Sequence, residues 1–387
     1  MRKLLLWVLA TALMAAPSAA ALDRNQAKAL LRVAVKLSGL QAREQVRIVV
    51  ERPAPFRQRR VKLLDRGYPR AAQDYDETVY RALGLVTGGK GVLHRTLIEM
   101  EDRTGVYDAV SRTAYVQSGA GERATALHEI VHALQDQHYD LRRMSRLPGG
   151  SDAAVAAAAA IEGHAMLVAG VLATRKSSSH GGTKLTRFVE LRRGFAYTVG
   201  LRFSAELRNL GGTKAVLGSL QRFPATSEQV FHLDKYLERE RAVPIVLPVN
   251  AGGATLAGDG TFGELDVRAL LAVFGVPRLD HVGTGWGGGR SGLYHGPAGD
   301  TVLIALDWDT ERDAAEWTEA VATYVNEAFD AAVPGLPALV ACEASSCWQL
   351  GGRGIAFARD GARTSLTIGS DAAQAAALAR AALGLPR

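Results

Sequence analysis

The run Leu127-His128-Glu129-Ile130-Val131-His132-Ala133-Leu134-Gln135-Asp136 constrains this chain more than any other stretch. It holds H-E-x-x-H inside an apolar, helix-favouring segment. Residues four apart on an α-helix stand one above the other, so the imidazoles of His128 and His132 can converge on one metal ion. Glu129, beside the first histidine, is placed to take a proton from water rather than to ligate. Ala126, Leu127, Ile130, Val131, Ala133 and Leu134 make the helix apolar on most sides. Two histidines and a glutamate on such a helix need partners, and a zinc ion supplies them. The set predicts metal-assisted hydrolysis with Glu129 as general base.

A catalytic zinc takes a third protein ligand and leaves its fourth position to water. His138 stands at the spacing of the third histidine in metzincins, but Gln135 occupies the place of the glycine that turns the chain back in that pattern. A helix continuing through Ala133, Leu134 and Gln135 rotates His138 off the ligand face. Glu162 is the stronger candidate. It is a lone carboxylate in the alanine-rich helical run 154–165, where an unpaired charge is costly. The expected ligands are therefore His128, His132 and Glu162, around one Zn2+ ion. Asp136, one turn after His132, is positioned to orient an imidazole, whereas His164 points elsewhere on the Glu162 helix.

H-E-I-V-H-A-L-Q-D-Q-H-Y-D-L at 128–141, followed by I-E-G-H-A at 161–165, resembles a family of exported zinc metallopeptidases marked by HExxHALQDQ and a later EGxA. G-V-Y-D at 105–108, S-E-Q-V-F-H-L-D-K-Y at 227–236, G-W-G-G-G-R at 285–290 and W-D-T-E-R-D-A-A-E-W at 308–317 extend the resemblance over much of the chain. The first part is also similar to thermolysin-like gluzincins, which share H-E-x-x-H-A-x-x-D and a downstream glutamate ligand. The resemblance implies zinc ligation by His128, His132 and Glu162, and a general-base role for Glu129. In gluzincin-like enzymes the strand before the zinc helix, here Thr113–Gln117, is an edge strand along which a peptide lies extended. Leu233, Gly289, His164 and Met166 depart from the family patterns. Met166 stands where thermolysin-like enzymes carry an aspartate that supports a ligand histidine, which leaves Asp136 as a substitute. The oxyanion of a tetrahedral intermediate needs a donor besides the metal. His232 and Tyr236, in the shared 227–236 segment, are the first candidates, with Tyr115 and Tyr139 behind them.

Residues 1–21 read as a signal peptide: Arg2 and Lys3, an apolar run from Leu4 to Ala15, then small residues Ser18–Ala21. The apolar run is shorter than the roughly 20 residues a spanning helix needs. Export to the periplasm or medium, with no stable membrane insertion after cleavage, is expected. Cys342 and Cys347 are then expected to form a local disulfide. The net charge of +7, less Arg2 and Lys3, leaves +5 for the mature chain. Arginine clusters at 57–60 and 142–146 lack interleaved aromatics, so nucleic acid is not expected as a partner. A peptide or protein substrate is; nothing in the sequence specifies an oligomeric state.

The expected fold class is α+β, with a mainly helical, gluzincin-like zinc-peptidase core carrying a short edge sheet over 22–263 and a smaller C-terminal α+β layer over 264–387. Helices are expected at 24–37, 56–64, 152–174, 184–208, 213–221, 265–274, 311–328 and 372–383. Strands are expected at 46–50, 113–117, 302–308, 354–359 and 364–368, with another near Ala338. Ser177–Gly182 reads as a flexible loop and the glycine-rich stretch Val249–Gly263 as a linker or surface loop. Trp286, Trp308 and Trp317 read as core aromatics. The function expected is zinc-dependent peptide-bond hydrolysis. Its rivals are a zinc hydrolase of cell-wall amides or other non-peptide substrates, and an exported binding or scaffold protein that retains a metal helix.

Overall fold

A three-stranded and a seven-stranded sheet organise the computed structural model, which describes residues 22–119, 121–169, 182–329, 346–350 and 352–385. The fold is α+β, as expected. The first part contains α1 (Arg24–Ser38), β1 (Arg47–Glu51), α2 (Pro53–Gly67), α3 (Arg70–Ala82), α4 (Val92–Glu99), β2 (Gly105–Asp108) and β3 (Thr113–Gln117). It continues with α5 (Glu122–Tyr139), α6 (Asp152–Ala169), α7 (Lys184–Gln221), α8 (Ser227–Phe231) and α9 (Leu233–Glu238). The second part comprises β4 (Asn250–Ala251), β5 (Ala254–Thr261), α10 (Glu264–Val273), α11 (Leu279–Thr284), β6 (Trp286–Gly296) and β7 (Gly299–Trp308). It ends with α12 (Glu311–Phe329), β8 (Ser346–Leu350), β9 (Arg353–Asp360), β10 (Arg363–Gly369) and α13 (Ala372–Leu383).

The small sheet has the order β1-β3-β2, with β3 parallel to β1 and antiparallel to β2. Thr113–Gln117 is thus the central strand, not the edge strand expected of it. The G-V-Y-D segment pairs along one side of it, Gly105 opposite Val116 and Asp108 opposite Thr113, and takes the edge position itself. β2 and β3 both pack on α5.

Helix α5 is buried continuously from Glu129 to Asp136. Leu30, Leu31 and Ala34 of α1 pack with its Ile130, Val131 and Leu134, and α6 lies along another side. Helix α6 is itself pressed against α7 through glycines. A side chain on Gly163 would run into the Gly200 carbonyl, and one on Gly200 into the Ala159 carbonyl. This contact holds the two backbones at a distance no larger residue permits. Helix α7 breaks its helical geometry at Gly211 and Gly212, the latter with φ 64, in the gap expected between two helices there.

The large sheet runs β4-β5-β6-β7-β10-β9-β8, each neighbouring pair antiparallel. Side chains alternate across it: Ile355 and Phe357 join the main core with Trp317, whereas Ala356 and Ala358 meet Ala375, Ala376 and Ala379 of α13. The stretch Val249–Gly263 is not a linker but supplies β4 and β5, so this sheet begins ahead of residue 264. Gly252 and Gly253, with φ 59 and 78, turn β4 into β5, whereas the later glycines make room. Side chains on Gly258 and Gly260 would stand 3.3 and 3.1 Å from the ring of Tyr75, which α3 lays across them. Trp286, Trp308 and Trp317 are buried in one core shared by α3, α4, α7, α10, α12 and the sheet, so the two parts are packed as one body. The signal segment, residues 177–181 of the expected loop, the strand near Ala338 and Cys342 fall outside the described residues. Cys347 is buried in β8.

Candidate metal centre

The face of α5 that carries His128 and His132 meets Glu162 of α6. The Nε2 of His128 lies 3.1 Å from Glu162 Oε2, and the Nε2 of His132 lies 3.4 Å from the same oxygen. The two nitrogens are 3.0 Å apart. A tetrahedral shell with bonds of about 2.0–2.2 Å has edges of roughly 3.3–3.6 Å. Three candidate ligand atoms spaced in this way outline one face of such a shell. Two imidazoles and a carboxylate are also the borderline donor set that suits zinc, so these residues fit the ion.

The register that brings them together comes from Gln135, fully buried on α5. Its Oε1 accepts from His132 Nδ1 at 2.8 Å, which leaves the lone pair of that ring on Nε2, toward Glu162. Its Nε2 donates to the Ile161 carbonyl at 3.0 Å and to His164 Nδ1 at 2.9 Å, both on α6. One amide therefore fixes an imidazole and the opposing helix together. His164, buried and pushed down to about 4 by its desolvation, is the neutral acceptor of this link.

Glu129 points from α5 toward β2 and is 4% exposed. Its Oε2 has no hydrogen-bond partner among the described residues. Burial raises its pKa against the pull of His128 and His132, a direction that favours proton acceptance near neutral pH. Burial also disfavours charge on His132 and Glu162, but each answers the other. Facing carboxylates push His132 up to about 9, and the imidazoles hold Glu162 well below the usual carboxylate range.

A cavity of about 210 Å³ opens on this cluster, lined also by Gly105, Val106 and Tyr107 of β2 and by Arg103 and Tyr197. The Tyr197 hydroxyl on α7 donates to Glu162 Oε1 at 3.4 Å. Arg103, in the turn before β2, clamps Glu101 through Nε and Nη2 at 2.6 and 2.7 Å.

His138 turns away from the centre, with Nε2 on the Gln41 carbonyl at 2.7 Å. Asp136 does not touch an imidazole. It accepts from Tyr107 Oη at 2.8 Å and from the Leu141 N–H at 2.7 Å, so Gln135 fills the supporting role expected of it. His232 and Tyr236 do not line the cavity. His232 bonds the fully buried Glu264 at 3.0 Å, and Tyr236 donates to the Arg222 carbonyl at 3.1 Å while packing on Phe203. Their segment is a structural clasp: Lys235 reaches Glu228 at 2.5 Å, Glu240 at 2.9 Å and Asp309 at 2.6 Å. That ammonium occupies the second acidic cluster, so its carboxylates do not form a cation site. Tyr115 lies under the Arg59 guanidinium, and Tyr139 packs among apolar side chains. Gln135, Tyr107, Arg103 and Tyr197 are the site residues that sequence reading missed. The first two lie inside quoted motifs; the others are brought in by tertiary packing alone.

One known family matches, a domain of unknown function (DUF8575), over residues 254–379. These residues span the large sheet from β5 onward and exclude the metal centre. No curated protein and no solved structure matches the chain significantly.

Proposed function

We propose that this chain is an exported zinc-dependent metallopeptidase in which His128, His132 and Glu162 hold one zinc ion and Glu129 is the general base. The observation that carries the reading is the convergence of two Nε2 atoms and one carboxylate oxygen within 3.0–3.4 Å, beside the Oε2 of Glu129, which has no hydrogen-bond partner among the described residues. Zinc bound there supplies Lewis acidity, polarising a carbonyl and acidifying water. Glu129 takes the proton of the attacking water at Oε2 and returns it to the leaving amine. The Tyr197 hydroxyl, which lines the cavity beside Glu162, is the donor for charge developing on the carbonyl oxygen. The free side of β2 offers backbone groups to an extended peptide, in place of β3. Gln135 keeps the His132 ring in its ligand orientation.

The test is Glu129→Gln, with metal analysis and a peptide-library assay on the mature chain. Full zinc content with turnover reduced by about 10²–10⁴-fold is expected. Unchanged cleavage overturns the mechanism, and absence of zinc from the wild type overturns the ligand set. Cleavage of peptidoglycan fragments with none of peptides replaces the substrate class.

A further inference from the structure

A second cavity, of about 290 Å³, lies against the first. Its lining is mostly apolar, with Leu64, Leu93, Leu97, Val155, Val189 and Ala196. Arg103, Glu162 and Tyr197 line both cavities, so they form the wall between them. Arg103 spends Nε and Nη2 on Glu101, while its Nη1 has no partner among the described residues and the side chain remains 35% exposed. Arg60 and Arg193 also reach Glu101, at 3.6 and 3.3 Å. Three guanidinium groups thus surround one buried carboxylate, with Asp102 the neighbouring acid. Arg103 is the guanidinium that this wall itself presents, beside the Glu162 carboxylate.

We infer that this wall reads the free C-terminal carboxylate of a peptide, which makes the chain a carboxypeptidase for substrates ending in a bulky apolar residue. The inference rests on the metallopeptidase reading above. A terminal carboxylate lies one residue, about 3.8 Å of backbone, beyond the scissile amide. An arginine that lines both the metal cavity and the adjoining chamber stands where such a carboxylate would arrive. A neutral backbone carbonyl gains less from the Nη1 of Arg103 than a carboxylate, which forms a charge-assisted bond with it. The chamber then takes the last side chain. An apolar void of about 150 Å³ holds benzene, so this one accommodates Phe or Trp. In the step itself, water adds across the last amide: the new C–O bond leaves the shortened peptide with a carboxylate, the C–N bond breaks, and the amine leaves with the proton carried by Glu129.

The experiment uses the zinc-loaded mature chain and N-acetylated peptides ending in Phe as free acid, Phe as amide, or Ala as free acid, with an internally quenched longer peptide beside them. Release of free Phe on the order of a hundredfold faster from the acid than from the amide is expected. Arg103→Gln is expected to remove most of that ratio, and Ala158→Phe, which narrows the chamber, to reverse the preference from Phe to Ala while Ala release persists. If acid and amide are cut equally, or only internal bonds are cut, the inference falls and the peptidase reading stands. If none of the four substrates is cut, the peptidase reading falls and carries the inference with it.

Discussion

Gly105 on β2 gives Glu129 on α5 its place. Any side chain at 105 would stand 2.5 Å from the Oε1 of Glu129 and would collide with the Thr125 methyl. The backbone conformation at Gly105 asks nothing unusual of the residue; only the proximity of strand and helix demands a hydrogen there. Gly105→Ala is therefore expected to push the carboxylate aside and cut peptide hydrolysis by about a hundredfold, the low end of what a general base contributes. Zinc content measured on the same preparation stays at the wild-type level, because none of the three ligands touches residue 105. Wild-type kinetics in the alanine variant would show that the close approach is not needed for proton transfer.

Gln135 ties two helices and one imidazole through a single buried amide. Gln135→Leu roughly keeps the volume and removes the amide from His132 Nδ1 and His164 Nδ1, while the Ile161 carbonyl keeps its helical bond. Each buried unpaired group costs roughly 1–3 kcal/mol, and loss of a partner behind a ligand imidazole weakens zinc by about 10–100-fold. Competition against a zinc chelator and a urea titration of the zinc-free chain read the two effects separately. Unaltered zinc affinity would remove Gln135 from the metal centre and leave it as a core residue only.

The parts of this centre that the sequence makes legible are those fixed by local geometry. His128, Glu129 and His132 are set by helical spacing alone, and Glu162 stands out because an alanine-rich helix offers a carboxylate no other partner. Strand order is a different kind of information. Thr113–Gln117 reads correctly as a strand, but its central position depends on β2 folding back onto it, which no periodicity in 113–117 encodes. The glycines of 249–263 carry a loop signal by composition, true of the turn at Gly252 and Gly253, and only the Tyr75 ring lying over Gly258 and Gly260 gives those two a place in a strand. His232 and Tyr236 sit in a segment whose motif reads as catalytic, while its physical task is the Lys235 clasp. Arg103 and Tyr197 reach the cavity from a turn and from a distant helix, so no spacing rule finds them.

That clasp is testable apart from activity. Among the described residues Lys235 pairs with Glu228, Glu240 and Asp309 together, and burial already pushes Glu228 up to about 8. Lys235→Met leaves three facing carboxylates, one of them almost wholly buried, and is expected to lower stability by about 2–4 kcal/mol. Zinc binding is expected to persist below the new melting temperature. In parallel, His232→Ala is expected to keep turnover within about twofold, whereas an oxyanion donor removed from the reaction loses about 10²–10³-fold. A loss of that size in His232→Ala would return this histidine to the catalytic machinery.

Asp152 opens α6 beneath Gly263, with its Oδ2 accepting from the Ser227 N–H at 2.9 Å. Burial pushes it up to about 7, with Asp266 adding to the rise and Arg192 opposing it. The folded chain thus retains a proton here that the unfolded chain releases near 4. Below that pH both states are protonated and the group is neutral to stability; from about pH 4 to 7 the folded state is progressively penalised, so stability falls as pH rises through the window. Asp152→Asn keeps an oxygen for the Ser227 N–H and removes the charge. It is expected to match the wild type at pH 4 and to exceed it by about 2–4 kcal/mol at pH 8, read as urea midpoints across the range. Equal gains at both pH values would assign the effect to packing rather than to the buried charge, and a loss at pH 8 would mean that Arg192 depends on the ionised form.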